Sequence, residues 1–179
     1  MWDYHAWGLL AGCLIDWLIG DPRSLPHPVR LMGRMIAGLE RGIRRRLDGR
    51  RELLGGALLV FCMCCAWIIL PGAAFWLIGR LGGRPLLFAA EAFFCGQLLA
   101  ARDLAKESLA VKERMDADDT EGARQAVSMI VGRDTRVLDR PGIIRAAVET
   151  VAENASDGVT APFLFMAVFG PVGGALYKA

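Results

Sequence analysis

No G-x-x-x-x-G-K-[ST] phosphate loop, dinucleotide fingerprint, H-E-x-x-H pair or G-x-S-x-G elbow occurs in these 179 residues. The common nucleotide-binding, zinc-protease and serine-hydrolase signatures are thereby excluded. Strand-like alternation is missing, as is any internal repeat, which leaves helices as the building material. The five cysteines form no metal framework. Cys62, Cys64 and Cys65 stand in an apolar run with no histidine or carboxylate beside them, and Cys13 and Cys95 lack an activating partner, so all five read as packing residues. The opening "MWDYHAWG" carries no basic n-region, which speaks against a cleavable signal peptide.

Charge is also missing over a long stretch. From Leu53 to Gly79 the chain runs 27 residues without one, and about 20 helical residues cross a ~30 Å hydrocarbon core. This run is expected to span a membrane. The 21 basic residues are placed accordingly: nine lie between Asp21 and Glu52, nine between Ala101 and Gly158, and Arg80, Arg84 and Lys178 complete the set. Basic loops stay on the cytoplasmic side, so both polar segments are expected there, joined by an outward hairpin turning near Arg80 to Pro85. The cluster "RGIRRRLDGRR" reads as a topogenic anchor on anionic lipid, with no nucleic-acid partner.

The expected fold is all-α: a polytopic helical membrane protein with a cytoplasmic helical insert. Residues 1–101 form the N-terminal membrane region with its basic loop at 21–52, residues 102–158 the insert, and residues 159–179 the start of a further membrane segment. Ala6 to Gly20 is a tilted crossing or an interfacial helix. In "GDPRSLPHPVRLMGR" three prolines oppose a regular helix, so a loop is expected between Gly20 and Gly33, followed by a basic amphipathic helix from Ile36 to Leu47. "PLLFAAEAFFCGQLLAA" returns through the bilayer and carries Glu91, either a helix–helix contact or part of a site.

Within the insert a first helix begins near Arg102 and fades at "DADDT". A second has Asp118 as N-cap with Glu121 three residues on, an apolar stripe of Ala123, Ala126, Val127, Ile130 and Val131, and Gly132 as its stop. A third has Asp139 as cap, Pro141 in its first turn and a stripe of Ile144, Ala147, Val148 and Val151. Glu149, Glu153 and Ser156 then fall on the opposite face, with Asp157 at its margin. Val159 to Tyr177 is long enough to span, with Pro162 and Gly170-Pro171 bending or interrupting it. It stops at "YKA" without a polar tail, which reads as a truncation.

Glu149 and Glu153, one turn apart, repel unless water or a cation screens them. One reading is a solvated face with Arg145 in an i,i+4 pair. The other is a site for Mg²⁺ and nucleotide, because hard oxygen ligands suit Mg²⁺, and Asn154 and Asp157 widen the set. "VGRDT" is then either a helix stop with an Asx-turn or a phosphate grip, with Gly132 allowing a tight backbone, Arg133 offering a planar fork and Asp134 orienting it or binding metal.

"GDPRSLPHPVRLMGR", "VSMIVGRDTRVLD", "RAAVETVAENASDGVTAPFLF" and "GGALYKA" occur in this order. In them the chain resembles, over essentially its whole length, the cobinamide-phosphate synthase family of cobalamin biosynthesis, called CbiB or CobD. In that family the chain continues with an "INTLDSMVGYK"-like stretch and further spans. The resemblance implies a multi-pass inner-membrane ligase with its site facing the cytoplasm, joining adenosylcobyric acid to (R)-1-amino-2-propanol or its phosphate as an amide, with ATP as co-substrate and Mg²⁺. It further implies catalytic Arg133, Asp134 and Glu153, metal ligands Glu149, Glu153 and Asp157, and nucleotide or substrate contacts at His27, Arg30, Thr135, Asn154 and Asp157. For His27 a simple loop hydrogen bond is the alternative. The implied partners are the corrinoid, the aminopropanol, the lipid bilayer and other late cobalamin-assembly membrane enzymes. The rival readings are a non-catalytic scaffold or sensor related to the family, and a transporter using Glu91 and the broken last run as a path.

Overall fold

The computed structural model of the chain describes residues 2–20, 26–46, 51–132 and 134–179. Among them every regular element is helical, and the chain separates into two compact units, Met1–Leu99 with Pro162–Ala179, and Ala100–Ala161.

The first unit contains α1 (Trp2–Ile19), α2 (Pro28–Arg44) and α3 (Glu52–Leu98). It also holds nearly all of α7 (Ala161–Lys178). Helix α3 is a hairpin of two limbs. Gly83 takes φ 68° and ψ −172°, a left-handed backbone that only glycine adopts without a Cβ penalty, and the chain reverses there. The Phe75 and Phe94 rings then meet edge-on at 5.5 Å. Arg80 over Trp76 and Arg84 over Tyr4 pin the turn, and the Tyr4 hydroxyl donates to the Arg84 carbonyl. Helix α1 runs parallel to the second limb, with Tyr4 against Phe88 and Gly12 against Ala92, Cys95 and Gly96. The core is built from Leu9, Met32, Met63, Trp67, Cys95, Leu98, Met166 and Ala175.

Leu53, Phe61, Ile69 and Trp76 on the first limb stay exposed, forming an apolar sleeve. Two stretches, Glu52–Asp116 and Arg140–Lys178, are long and apolar enough to cross a membrane by length and composition. In the second, the interruption expected at Gly170-Pro171 is present: Gly170 has φ 68°, and the Phe165 and Tyr177 rings stack at 4.9 Å. Helix α7 therefore folds back on itself, and limbs 161–169 and 171–178 rise only about 13 and 12 Å each, well short of a ~30 Å hydrocarbon core.

The loop expected from Gly20 to Gly33 is shorter than its prolines suggest. Helix α2 begins at Pro28, because a proline in the first turn sacrifices no intrahelical bond and His27 caps the end, its Nδ1 accepting from Val29 N at 3.2 Å. The amphipathic helix thus starts eight residues before Ile36; Leu47 and Pro22 lie outside the described residues. Gln97 Nε2 donates to the Pro26 carbonyl at 2.8 Å and holds the chain before α2 against the end of α3.

The second unit contains α4 (Ala101–Asp116), α5 (Thr120–Ser128), α6 (Arg140–Asn154) and a six-residue π-helical turn, Ala155–Thr160. Val111, Met115, Ala123, Val127, Ile143 and Ala146 form its core. Three details differ from expectation. The cap of α5 is Asp119, whose Oδ1 accepts from Gly122 N at 2.8 Å; Asp118 has φ 55° and pairs instead with Arg140 at 2.6 Å. Helix α5 unwinds after Ser128 into tight turns rather than running to Gly132. On α6 the fully buried residues are Ile143 and Ala146, while Ile144 and Val148 stay exposed. The buried face is thus rotated by one residue, because α6 must meet both α4 and α5 and the sequence stripe was wide enough to allow either setting.

The expected cap Asp139 is in place, its Oδ1 accepting from Gly142 N at 2.9 Å. Asp139→Ala should weaken the first turn of α6 by about 1 kcal/mol. The measurement is amide hydrogen exchange at Gly142 and Ile143, which should speed up relative to amides in α4.

Candidate functional site

The sequence-predicted residues fall in three places. His27 and Arg30 belong to the start of α2 in the first unit, His27 half-buried at the cap and Arg30 exposed. Asp134 and Thr135 belong to the loop between α5 and α6 in the second unit, and Arg133 lies outside the described residues. Glu149, Glu153, Asn154 and Asp157 line the end of α6 and the π turn.

The α5–α6 loop is held by arginines that the sequence did not single out. Arg124 donates to the Leu138 carbonyl through Nε at 3.2 Å and Nη2 at 2.9 Å. Arg140 joins Asp118 to the Met115 carbonyl. Asp134 accepts from the Arg136 backbone N at 3.0 Å, an Asx-turn, and from the Arg136 guanidinium through Nε at 3.0 Å and Nη2 at 2.8 Å. This side-chain pair, helped by the backbone N–H, holds the Asp134 carboxyl down at about 2. Thr135 is buried, and its carbonyl accepts from Leu138 N. Gly132 has an ordinary φ and open space where a Cβ would sit, so the tight backbone assigned to it is not required.

A depressed carboxyl pKa stabilises the fold above its ordinary value of about 3.9, and that contribution fades as pH falls through about 2. Carbon NMR of Asp134 should give a midpoint near that lower value, and Arg136→Gln should move it up toward the ordinary one.

Glu149, Glu153 and Asp157 are all exposed. In a continuous α-helix each step of four residues rotates about 40° around the axis, so Asp157 would drift off the line of Glu149 and Glu153. The wider i to i+5 turn advances each residue by less, and Asp157 lies in that turn. The π turn thus lessens that drift in helical phase, and the three exposed carboxylates form an acidic ladder along the helix axis. The sequence signal of the turn was the run of poor helix formers in "SDGVT", set between two helical segments. Thr160 steadies the turn, its Oγ1 donating to the Ala155 carbonyl at 3.0 Å.

Among the described residues no three His, Cys, Asp or Glu side chains converge as a metal cage. The ladder is strung along the helix axis, and the α6 rise puts Glu149 and Glu153 about 13 and 20 Å beyond its first residue. Two neighbouring carboxylates still fit the usual protein share of a Mg²⁺ site, in which substrate phosphates and water supply the remaining oxygens.

One polar pair was missed in part. His5 Nδ1 lies 3.0 Å from Glu91 Oε2, with Glu91 buried and His5 half-exposed. Glu91 stood out as a carboxylate in an apolar run, but His5 sits 86 positions away in sequence and carried no signal.

The fold and these sites define an all-helical protein with long apolar helices and a separate helical unit bearing an exposed acidic ladder. The family model described as CobD/Cbib protein matches residues 9–179, and the chain belongs to that family. It is 42% identical over 175 residues to the cobalamin biosynthesis protein CobD of Pelobacter propionicus, covering 96% of this chain and 52% of the relative. The CobD of Geobacter metallireducens is 42% identical over 176 residues, covering 96% and 53%. The cobalamin biosynthesis protein CbiB of Salmonella choleraesuis is 36% identical over 181 residues, covering 96% and 54%. The chain thus spans about half the length of the curated relatives it matches. No solved structure matches.

Proposed function

We propose that this protein acts in cobalamin biosynthesis as an ATP-dependent amide ligase, joining the carboxylate of adenosylcobyric acid to (R)-1-amino-2-propanol or its phosphate. The observation that carries the reading is the family match over residues 9–179. The exposed apolar sleeve of α3 and the clustering of basic residues on either side of it support a multi-pass protein of the bacterial inner membrane, with the second unit in the cytoplasm.

A carboxylate does not react with an amine at neutral pH, so it must be activated. In the proposed reaction a carboxylate oxygen takes the γ-phosphoryl group of ATP, releasing ADP; the neutral amine attacks the acyl carbon, phosphate leaves and the ammonium proton passes to water. Mg²⁺ carried with ATP would offset the triphosphate charge. Glu149, Glu153 and Asp157, with Asn154, are the residues proposed to hold it, one or two carboxylates at a time. Arg133 is proposed to grip a phosphoryl group. Asp134, committed to Arg136, serves as a positioning residue for that loop rather than as a metal ligand. Thr135 supports the loop from inside, and His27 and Arg30 are proposed at the corrinoid mouth.

The test uses membrane vesicles carrying the whole protein, supplied with adenosylcobyric acid, ATP, Mg²⁺ and either amine. The expected result is an amide product by mass spectrometry with one ADP per amide. No product with either amine from folded protein would favour a non-catalytic scaffold.

A further inference from the structure

The elbow between α2 and α3 has no part in the proposed ligase reaction. A cavity of 360 Å³ opens there within the first unit, and its walls include Glu40, Arg44, Arg51, Glu52, Gly56 and Leu59. A shallow groove continues from it along the first limb of α3, lined by Leu53, Gly56, Ala57, Val60, Phe61 and Cys64. The two share Glu52 and Gly56, so a charged pocket passes directly into an apolar channel. Gly56 keeps the junction open: nothing lies within 4 Å of where its Cβ would sit. The groove residues recur at steps of three and four, which puts them on one face of the helix, and the rise from Leu53 to Cys64 is about 16 Å. That is roughly the depth of one leaflet in a ~30 Å hydrocarbon core.

Charge around the cavity is unbalanced. Residues 40–46 and 51–59 carry Arg41, Arg44, Arg45, Arg46 and Arg51, all exposed, against Glu40 and Glu52. Glu40 accepts from Arg44 Nε at 2.8 Å, which uses one of the five N–H donors of that guanidinium and leaves its paired Nη groups for another oxygen. Arginine takes phosphate oxygens two at a time in this geometry. An inorganic phosphate would satisfy the arginines and leave the groove bare, and a nucleic acid has no hydrocarbon to lay along Val60 and Phe61. A zwitterionic headgroup brings no net negative charge to offset the surplus. A phospholipid with a net negative headgroup answers both parts: its phosphodiester meets Arg44 and Arg51, and one acyl chain covers the groove. We infer that the α2–α3 elbow is a defined binding site for an anionic phospholipid, with the headgroup in the cavity and an acyl chain in the groove. The inference rests on the proposed membrane placement of α3 and is independent of the amide-forming reaction. A diffuse basic anchor differs from it, because such an anchor depends on the number of charges and not on the shape between them.

The probe is dioleoylphosphatidylglycerol, titrated by native mass spectrometry against the whole protein in a neutral detergent, with dioleoylphosphatidylcholine for comparison. Saturable binding of phosphatidylglycerol is expected, at least tenfold tighter than phosphatidylcholine and undisturbed by an excess of inorganic phosphate. Gly56→Trp keeps every charge and closes the junction, and should raise Kd at least tenfold. Arg51→Gln should do the same from the headgroup side, and this exposed position decides should Gly56→Trp fail to elute as a monodisperse peak. Arg34→Gln, on α2 but outside the cavity, should change Kd less than twofold. Equal affinity for the two lipids, displacement by inorganic phosphate, unchanged binding in either variant that folds, or a loss as large in Arg34→Gln as in Arg51→Gln would each overturn the proposal. Failure of the membrane placement would overturn it too, and is told apart by a separate sign: protein that stays monodisperse without detergent.

Discussion

Glu153→Gln is expected to reduce the proposed amide-forming activity by about 100-fold or more in kcat/KM, equivalent to at least about 2.7 kcal/mol of lost transition-state stabilisation. The physical basis is the position of Glu153 in the ladder. Its carboxylate is exposed, and it has no hydrogen bond or ion pair among the described residues, so the fold does not depend on its charge. A merely solvated carboxylate would leave activity, melting temperature and membrane insertion unchanged together, and a structural one would lower the melting temperature. A ligand role for Mg²⁺-nucleotide separates them: activity falls while the other two stay. Raising Mg²⁺ should restore part of the lost rate, because a weakened ligand set lowers metal affinity before it lowers chemistry. Wild-type rates in Glu153→Gln would return the ladder to a solvated face.

The second large effect concerns packing. A Cβ added at Gly12 would stand 2.6 Å from Cys95 Cβ and 2.8 Å from the Ala92 carbonyl oxygen, with Gly96 N at 3.0 Å. Two of these three atoms are backbone of α3, which cannot step aside without moving the helix. Small residues at such contacts let helices approach closely in an apolar medium. Gly12→Val should force α1 off α3 and cost about 3 kcal/mol, the upper end for overpacking. The readout is unfolding in mixed micelles, together with the yield of monodisperse protein. Gly38→Ala is the control: nothing lies within 4 Å of its added Cβ, and a helix-interior alanine in place of glycine should stabilise by about 0.5–1 kcal/mol. Equal tolerance of both substitutions would mean that the α1–α3 contact is not close-packed in the protein.

Much of the local architecture was legible in the residues. The charge-free run from Leu53, the reversal near Gly83, the cap at Asp139 and the break at Gly170-Pro171 each rest on backbone chemistry that acts within a few positions. Errors arose where two local rules competed. At Pro28 the rule that proline breaks helices lost to the rule that it starts them, with His27 tipping the balance as cap. At Asp118 and Asp119 either aspartate could cap α5, and the pairing of Asp118 with Arg140 left the cap to its neighbour. The rotation of α6 was decided by which of two adjacent apolar rows met α4 and α5.

The candidate site divides in the same way. Spacing placed Glu149 and Glu153 on one face, since that depends only on the helical period. The helical phase of Asp157 was set by the π turn, and a run of residues that form α-helix poorly does not specify what replaces it. The commitment of Asp134 to Arg136 was within reach, two positions apart, yet equally compatible with the alternative in which it orients Arg133.

By itself the sequence determined the helical class, the long apolar segments, the acidic turn and, through its motifs, the family. These follow from periodicity, composition and short-range order, which are properties of neighbours along the chain. Only the tertiary structure decided that α7 doubles back, that Gly12 is a contact and not a spacer, and that His5 meets Glu91 across 86 positions. Those outcomes depend on which surfaces pack together, and the free energy that selects among packings is a sum over contacts between residues far apart in the chain.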